Sequence, residues 1–235
     1  MDDLAAIAPN ISLGLLYSFA RSRDIPVEIL DSEARGISPD ALVDQLLEKS
    51  PQLVGIIASG ANPSASTMSM VGVIEFFRKL KEKAGKKPFF TFVWGPHPTV
   101  LPERTLRETG ADFVVRGEGY ETIVQLWKAM AAGSRLDDIP GLCYLADGKY
   151  RATPPPQLVD VNTLPMVDWN VMRPDSYRAH NWHCFGSDLG RRSPYAIVWT
   201  SMGCSYPCEF CCINNDSLVR TPLCGGCLIA SANAA

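Results

Sequence analysis

Residues 1–133 predict an α/β domain built on a doubly wound parallel sheet. Three observations predict it. Short apolar runs alternate with longer amphipathic ones over the first ~130 residues. The run Gln52–Ser59 is almost continuously apolar, as in a strand covered on both faces. The strand-like runs also lead into loops of glycine and other small residues.

The elements follow in order. SLGLLYSFARSRD reads as a helix with no strand before it, although a doubly wound domain ordinarily opens on its central strand. PVEILD (26–31) reads as a strand. SPDALVDQLLEK (38–49) reads as a helix, with Ser38 as its cap and Pro39 in its first turn. After strand 52–59 comes a helix over 64–85, with Lys79, Lys81 and Lys83 near its negative end. KPFFTFVWG (87–95) is a third strand, LPERTLRETG a helix and ADFVVRG (111–117) a fourth strand. YETIVQLWKAMAAG is a helix ending near Gly133.

Residues 134–194 read as a connector. It holds a small hairpin turning at Asp147–Gly148, a proline run that excludes helix, and an irregular aromatic stretch. YAIVWTS (195–201) reads as a strand that delivers the chain to Cys204, opening a third region over 195–235.

Composition narrows the function classes. Of the 235 residues 46% are apolar and 20% charged, with a net charge of −3, an ordinary globular balance. No Lys/Arg cluster suggests a nucleic-acid footprint. No apolar run reaches the roughly 18 residues that span a bilayer. The acidic start MDD is wrong for a secretory signal. These features place the chain in the cytoplasm, where grouped thiols more often serve metal or redox chemistry than disulfides.

Ligands of doubly wound folds sit outside the carboxyl ends of the strands. Here those ends are Ser59–Gly60–Ala61–Asn62, Gly95–Pro96–His97–Pro98 and Arg116–Gly117–Glu118–Gly119. Small residues there would let a large ligand approach the backbone closely.

Cys204-x3-Cys208-x2-Cys211 lies on a loop with Gly203 and Pro207. Three thiolates at these spacings can hold three corners of an iron–sulfur cube, leaving the fourth iron open to an external amino and carboxylate chelate. A zinc site using these three with Cys212, Cys224 or Cys227 is the competing reading, although structural zinc favours paired C-x2-C units. Cys143 and Cys184 stand apart and read as buried small hydrophobes.

The stretch YAIVWTSMGCSYPCEFC resembles the opening strand and cluster loop of the radical S-adenosylmethionine (radical SAM) superfamily. NISLGLLYSFARSRDIPVEILD, WGPHPTVLPERTL and DFVVRGEGYETIVQLW resemble the cobalamin-binding domain preceding the barrel in one large subgroup. LVDVNTLPMVDWNVM resembles the connector between them. The resemblance covers residues 1 to about 215. It implies a flavodoxin-like, cobalamin-binding domain over 1–133 and the first strand and cluster loop of a radical SAM partial barrel over 195–235.

The resemblance also implies a 4Fe–4S cluster on Cys204, Cys208 and Cys211, with S-adenosylmethionine bound and Phe210 beside its adenine. Cobalamin would lie over Ser59, Gly60, Gly95, Pro96, His97, Arg116, Gly117 and Glu118. The D-x-H-x-x-G motif that supplies a lower cobalt ligand elsewhere is missing from the sequence, and His97 sits in a His-Pro turn context. His180 and His183 read as residues of the packed connector. Radical methylation or ring formation on a small molecule, lipid or tetrapyrrole-like substrate is implied, with a flavodoxin or ferredoxin as electron donor.

The family pattern breaks after Cys212. Gly225–Gly226 is followed by Cys227 where the family has an acid, and the alanine-rich ending carries no periodicity. The expectation is therefore an aberrant tail on a chain truncated at its C-terminus and also at its N-terminus. Such a chain would not perform the family reaction alone. A corrinoid carrier with idle cysteines is a third reading.

Overall fold

The computed structural model describes residues 5–59, 63–85, 89–156, 158–184, 188–199 and 202. A five-stranded sheet with strand order β1-β2-β3-β4-β5 organises it. Strands β1 (Leu53–Ile57), β2 (Phe90–Trp94) and β3 (Phe113–Val115) are parallel, with Leu53 opposite Phe90 and Phe92 opposite Phe113. β4 (Leu142–Ala146) and β5 (Lys149–Ala152) form a hairpin that joins β3 antiparallel. The sheet thus extends past residue 133. The hairpin turn falls where the sequence predicts it, with φ of 51° at Asp147 and 74° at Gly148, the backbone of a type I′ turn.

Helices cover both faces, as the apolar strands demand. Alternate strand residues Val54, Val93 and Val114 pack against Phe76, Phe77 and Leu80 of α4 (Pro63–Ala84). Val43 of α3 (Pro39–Glu48) and Leu106 of α6 (Pro102–Thr109) complete that layer. On the opposite face Phe92, Trp94 and Val115 meet Phe19 of α1 (Ile11–Arg21) and Tyr120, Val124 and Leu126 of α7 (Tyr120–Ala132). Each such apolar side chain stabilises the fold by roughly 1.5–3 kcal/mol on burial.

The helix ends follow local chemistry. Asn10 caps α1 by accepting from Leu13 N at 3.1 Å, and Ser38 caps α3 by accepting from Ala41 N at 3.3 Å. α7 ends on Gly133 at φ 63°, a left-handed cap.

Two predicted strands are not strands. Residues 24–31 form no ladder, although Ile25 and Ile29 are buried; a strand exists only by pairing, and no described strand lies next to this segment. It leads into the short helix α2 (Ser32–Arg35). Residues 195–199 likewise form no ladder, and Thr200 and Ser201 lie outside the described residues: Tyr195 N bonds Pro174 O at 3.1 Å, while Val198 is 63% exposed. A further difference follows Gly95, where Pro96–Val100 winds into the short helix α5 in place of an open loop.

The connector packs back on the domain. Ser18 of α1 accepts from Asp168 N at 3.1 Å, Tyr177 donates to Asp31 at 2.8 Å, and Ile7 forms a bridge with Arg178. A Cβ on Gly14 would lie 2.9 Å from Val167, so the glycine lets the connector and the short helix α8 (Trp169–Met172) approach α1.

Candidate functional site

The carboxyl ends of β1, β2 and β3 lie side by side because the strands are parallel neighbours, and internal hydrogen bonds hold them in register. Ala58 N donates to Trp94 O at 2.7 Å, prolonging the β1–β2 ladder by one step. The buried hydroxyl of Ser66, on α4, donates to Ala58 O and accepts from His97 N at 3.0 Å. One side chain thus fastens the end of β1 to the turn after β2. Ser59, half-buried, follows directly.

Gly95 makes that turn possible. Its φ of 146° is a conformation side chains rarely adopt, and a Cβ would stand 2.1 Å from Ala58 O. The glycine is therefore required by the approach of β1 to β2, whatever lies outside. Pro96 then starts α5, and Thr99 N bonds back to Gly95 O at 3.0 Å.

The end of β3 is tied to β2 in the same manner. Gly117 N donates to Thr99 Oγ1 at 3.0 Å, and Trp94 Nε1 donates to Gly117 O at 2.8 Å. Gly119 has φ 70°, and a Cβ there would meet Trp94 Nε1 at 2.5 Å.

Arg116 and Glu118 face inward commitments. Arg116 donates from N to Gly141 O at 2.8 Å and from Nη2 to Thr153 O at 3.0 Å. Its Nε is buried and has no hydrogen-bond partner among the described residues. Glu118 accepts from Val159 N at 2.6 Å, fastening the connector across the end of β3. Burial raises its carboxyl above the usual range, and the Val159 bond offsets this in part. Burial, with the Glu118 charge adding to it, also pushes the Tyr120 phenol well above its ordinary value.

His97 is the titratable group at the middle strand end. Its Nδ1 lies 3.2 Å from Thr67 Oγ1, while the buried Nε2 has no hydrogen-bond partner among the described residues. Burial lowers its pKa, the nearby Arg104 adding to the effect and Glu108 opposing it, so the neutral imidazole is favoured.

The structure therefore brings Ser59, Gly95, Pro96, His97, Arg116, Gly117 and Glu118 to one edge of the sheet. Gly60, Phe210, Cys204, Cys208 and Cys211 lie outside the described residues. Among the described residues no group of three or more His, Cys, Asp or Glu could hold a metal. Cys143 is fully buried in the sheet. His180 is exposed and accepts from Trp182 N at 3.4 Å. Ser66, Thr67, Trp94 and Thr99 position the site and were not foreseen, since each acts across elements far apart in sequence. The small polar run Ser64–Ala65–Ser66–Thr67 was the one available hint.

The model of the B12 binding domain matches residues 1–126. An uncharacterized methyltransferase, PH0819, of Pyrococcus horikoshii is 30% identical over 205 residues, which make up 86% of this chain and 40% of that protein. The anaerobic magnesium-protoporphyrin IX monomethyl ester cyclase of Synechocystis is 25% identical over 187 residues, covering 79% of this chain and 34% of the cyclase. The chain thus spans two fifths or less of these curated relatives.

Among solved structures, the radical S-adenosylmethionine methyltransferase TsrM from Kitasatospora setae, with cobalamin and a 4Fe–4S cluster bound, superposes with a TM-score of 0.55 at 18% identity. The match covers 68% of this chain and 28% of TsrM. OxsB, a cobalamin-dependent S-adenosylmethionine radical enzyme, gives 0.53 at 19% identity, over 65% of this chain and 20% of its own. These likenesses establish a shared fold. No helix among the described residues is long and apolar enough to cross a membrane.

Proposed function

The chain belongs to the B12 binding domain family, and on that premise we propose that it is the cobalamin-holding part of a radical SAM enzyme, with a cluster loop at Cys204, Cys208 and Cys211. The observation that carries the reading is the coincidence of the family match over 1–126 with three parallel strand ends tied into one edge. Relatives whose names include a methyltransferase and anaerobic cyclases support the reaction class.

The residues present fit a large planar ligand set against backbone. Half-buried Ser59 and the turns at Gly95–Pro96 and Gly117–Glu118 line the edge, and the buried His97 Nε2 has no partner among the described residues. Ser59, Gly95, Pro96, His97 and Gly117 would hold the cobalamin. Gly60, Arg116 and Glu118 complete the set, the latter two chiefly by fixing Thr153, just after β5, and the connector around it. When bound, cobalamin supplies alkyl-transfer chemistry at cobalt. The chain's part is to keep the turns in register through Ser66 and Thr99, and to keep His97 neutral.

Cys204, Cys208 and Cys211 would ligate three irons of a 4Fe–4S cluster, the spacing leaving the fourth for S-adenosylmethionine, with Phe210 near the adenine. An electron donor of flavodoxin or ferredoxin type would reduce the cluster. A cytoplasmic setting suits thiols that must stay reduced. The substrate would be a small molecule, or a lipid or tetrapyrrole-like compound.

The test is anaerobic reconstitution of the full chain with iron, sulfide and hydroxocobalamin. A brown protein that bleaches with dithionite and co-elutes with corrinoid supports the whole reading. Corrinoid without iron reduces it to a carrier; tightly held zinc without iron replaces the cluster with a zinc staple. Failure to retain corrinoid overturns the site at the strand ends.

A further inference from the structure

Helix α4 divides by charge. Residues 63–74 carry no charged side chain, whereas six of the nine residues at 75–83 are charged. The charged half is engaged within the chain. Lys79 and Lys83 reach Asp40 and Asp44 of α3 at 2.5 and 2.7 Å, and Arg78 pairs with Glu75 at 2.6 Å. In the uncharged half Ser66, Met70 and Val73 are buried, and Thr67 meets His97 of α5. What remains is the outward face, where Met68 is 78% and Val71 76% exposed.

Gly72 lies on that face, exposed and one turn after Met68. A Cβ there would meet no atom of the described residues within 4 Å, and its φ lies outside the left-handed region. Neither space nor backbone therefore asks for glycine, which is unfavourable inside a helix relative to alanine. The helix thus presents an outward hole one turn from a projecting methionine.

From this juxtaposition we propose that the face binds a second copy of the chain, with the two α4 helices antiparallel about a two-fold axis level with Met70. A knob and a hole one turn apart on the same stripe are self-complementary under such an axis. Met68 of each copy seats over Gly72 of the other, and the bare glycine lets the helix axes approach to about 8 Å, the close end of helix packing. Val71 closes the flank of the contact.

Charge selects this pairing. With the helices antiparallel, position 75 falls opposite 65 and the charged halves point away from each other. A parallel pair would set Glu75 and Arg78 against their own copies. An anionic membrane surface would meet Glu75 and Glu82 on the same face, and a convex helix offers a small ligand no walls. One helix pair covers less than the roughly 800 Å² per partner of a standard interface. The dimer is therefore weak, with a dissociation constant on the order of 100 μM, beyond the μM–pM range of standard interfaces. It requires neither corrinoid nor iron.

Sedimentation equilibrium of the full chain from about 5 to 500 μM should show a monomer–dimer equilibrium. Gly72→Leu fills the hole and should weaken dimerisation at least about tenfold, even though it adds apolar surface. Met68→Glu, which removes the knob, should do the same. At about 1 μM, where the wild type is monomeric, Gly72→Leu should melt no lower than wild type, since leucine is the better helix former. A lower midpoint would show that the glycine serves the chain's own fold and would overturn the proposal. So would a wild type that stays monomeric to about 500 μM, or one that assembles beyond a dimer. Association that Gly72→Leu leaves unchanged or strengthens would run through another surface, and would overturn it equally.

Discussion

The Ser66 hydroxyl accepts the His97 amide proton at 3.0 Å while donating to the carbonyl of Ala58. A buried side chain from α4 therefore joins the ends of β1 and β2. Ser66→Ala leaves the His97 N–H and one side of the Ala58 carbonyl unmet, at a cost of about 1–3 kcal/mol. Urea denaturation checks the cost. If the edge is the corrinoid site, spectral titration with hydroxocobalamin should show weaker binding by the same variant.

Gly95 and Gly110 give a controlled comparison, since both have positive φ but different surroundings. A Cβ on Gly95 meets backbone at 2.1 Å, whereas one on Gly110 meets nothing within 4 Å. Gly110→Ala should cost about 1 kcal/mol of conformational strain. Gly95→Ala should cost about 3 kcal/mol or more, because Ala58 cannot yield without breaking the β1–β2 ladder. Similar unfolding midpoints for the two variants would contradict the packing argument.

His97 should give stability a pH dependence of definite sign. Burial, the leading cause, lowers its folded pKa below the ordinary 6.5. Between that lowered value and 6.5 the unfolded chain binds more protons than the folded one. The contribution is therefore full above 6.5 and lost as pH falls through the folded value. Glu118 and Glu33 act with the opposite sign, since burial raises their folded pKa values and penalises their ionised forms as pH rises. The difference between wild type and His97→Gln isolates the histidine. Unfolding free energies measured across this range should converge as pH falls.

Glu118 separates charge from hydrogen bonding. Glu118→Gln keeps an oxygen for Val159 N and removes a partly buried charge, so stability at neutral pH should hold or rise. Glu118→Ala removes the acceptor and should cost about 1–3 kcal/mol, with faster amide exchange at Val159. Equal loss in both variants would mean that the carboxylate charge itself is what the connector needs.

What the sequence made legible was local or periodic. Ser38–Pro39, Gly133 and Asp147–Gly148 each encode a cap or turn in their own chemistry. The apolar runs at 53–57, 90–94 and 113–115 could hardly be anything but covered strands. Segments 26–31 and 195–199 have the same texture and form no ladder, because pairing is a property of two segments. The ties through Ser66, Thr99 and Trp94 escaped for a related reason: a serine in a helix looks alike whether it faces solvent or two strand ends. That Ser59, Gly95 and Arg116 stand at strand ends was legible because topology fixes where parallel strands finish.

The proposed cluster loop and corrinoid edge should be separable by mutation. Among the described residues the hydrogen bonds that tie the strand-end edge all lie before residue 160 and involve no cysteine. Replacing Cys204, Cys208 and Cys211 together by alanine should therefore abolish iron uptake while leaving hydroxocobalamin affinity within about twofold, less than about 0.5 kcal/mol. Ser66→Ala should do the reverse, weakening corrinoid binding while iron per chain stays unchanged. Iron analysis and corrinoid titration on the same preparations read both arms. Loss of corrinoid in the triple variant would mean that the cysteine loop folds against the strand ends and that the two cofactors share one site.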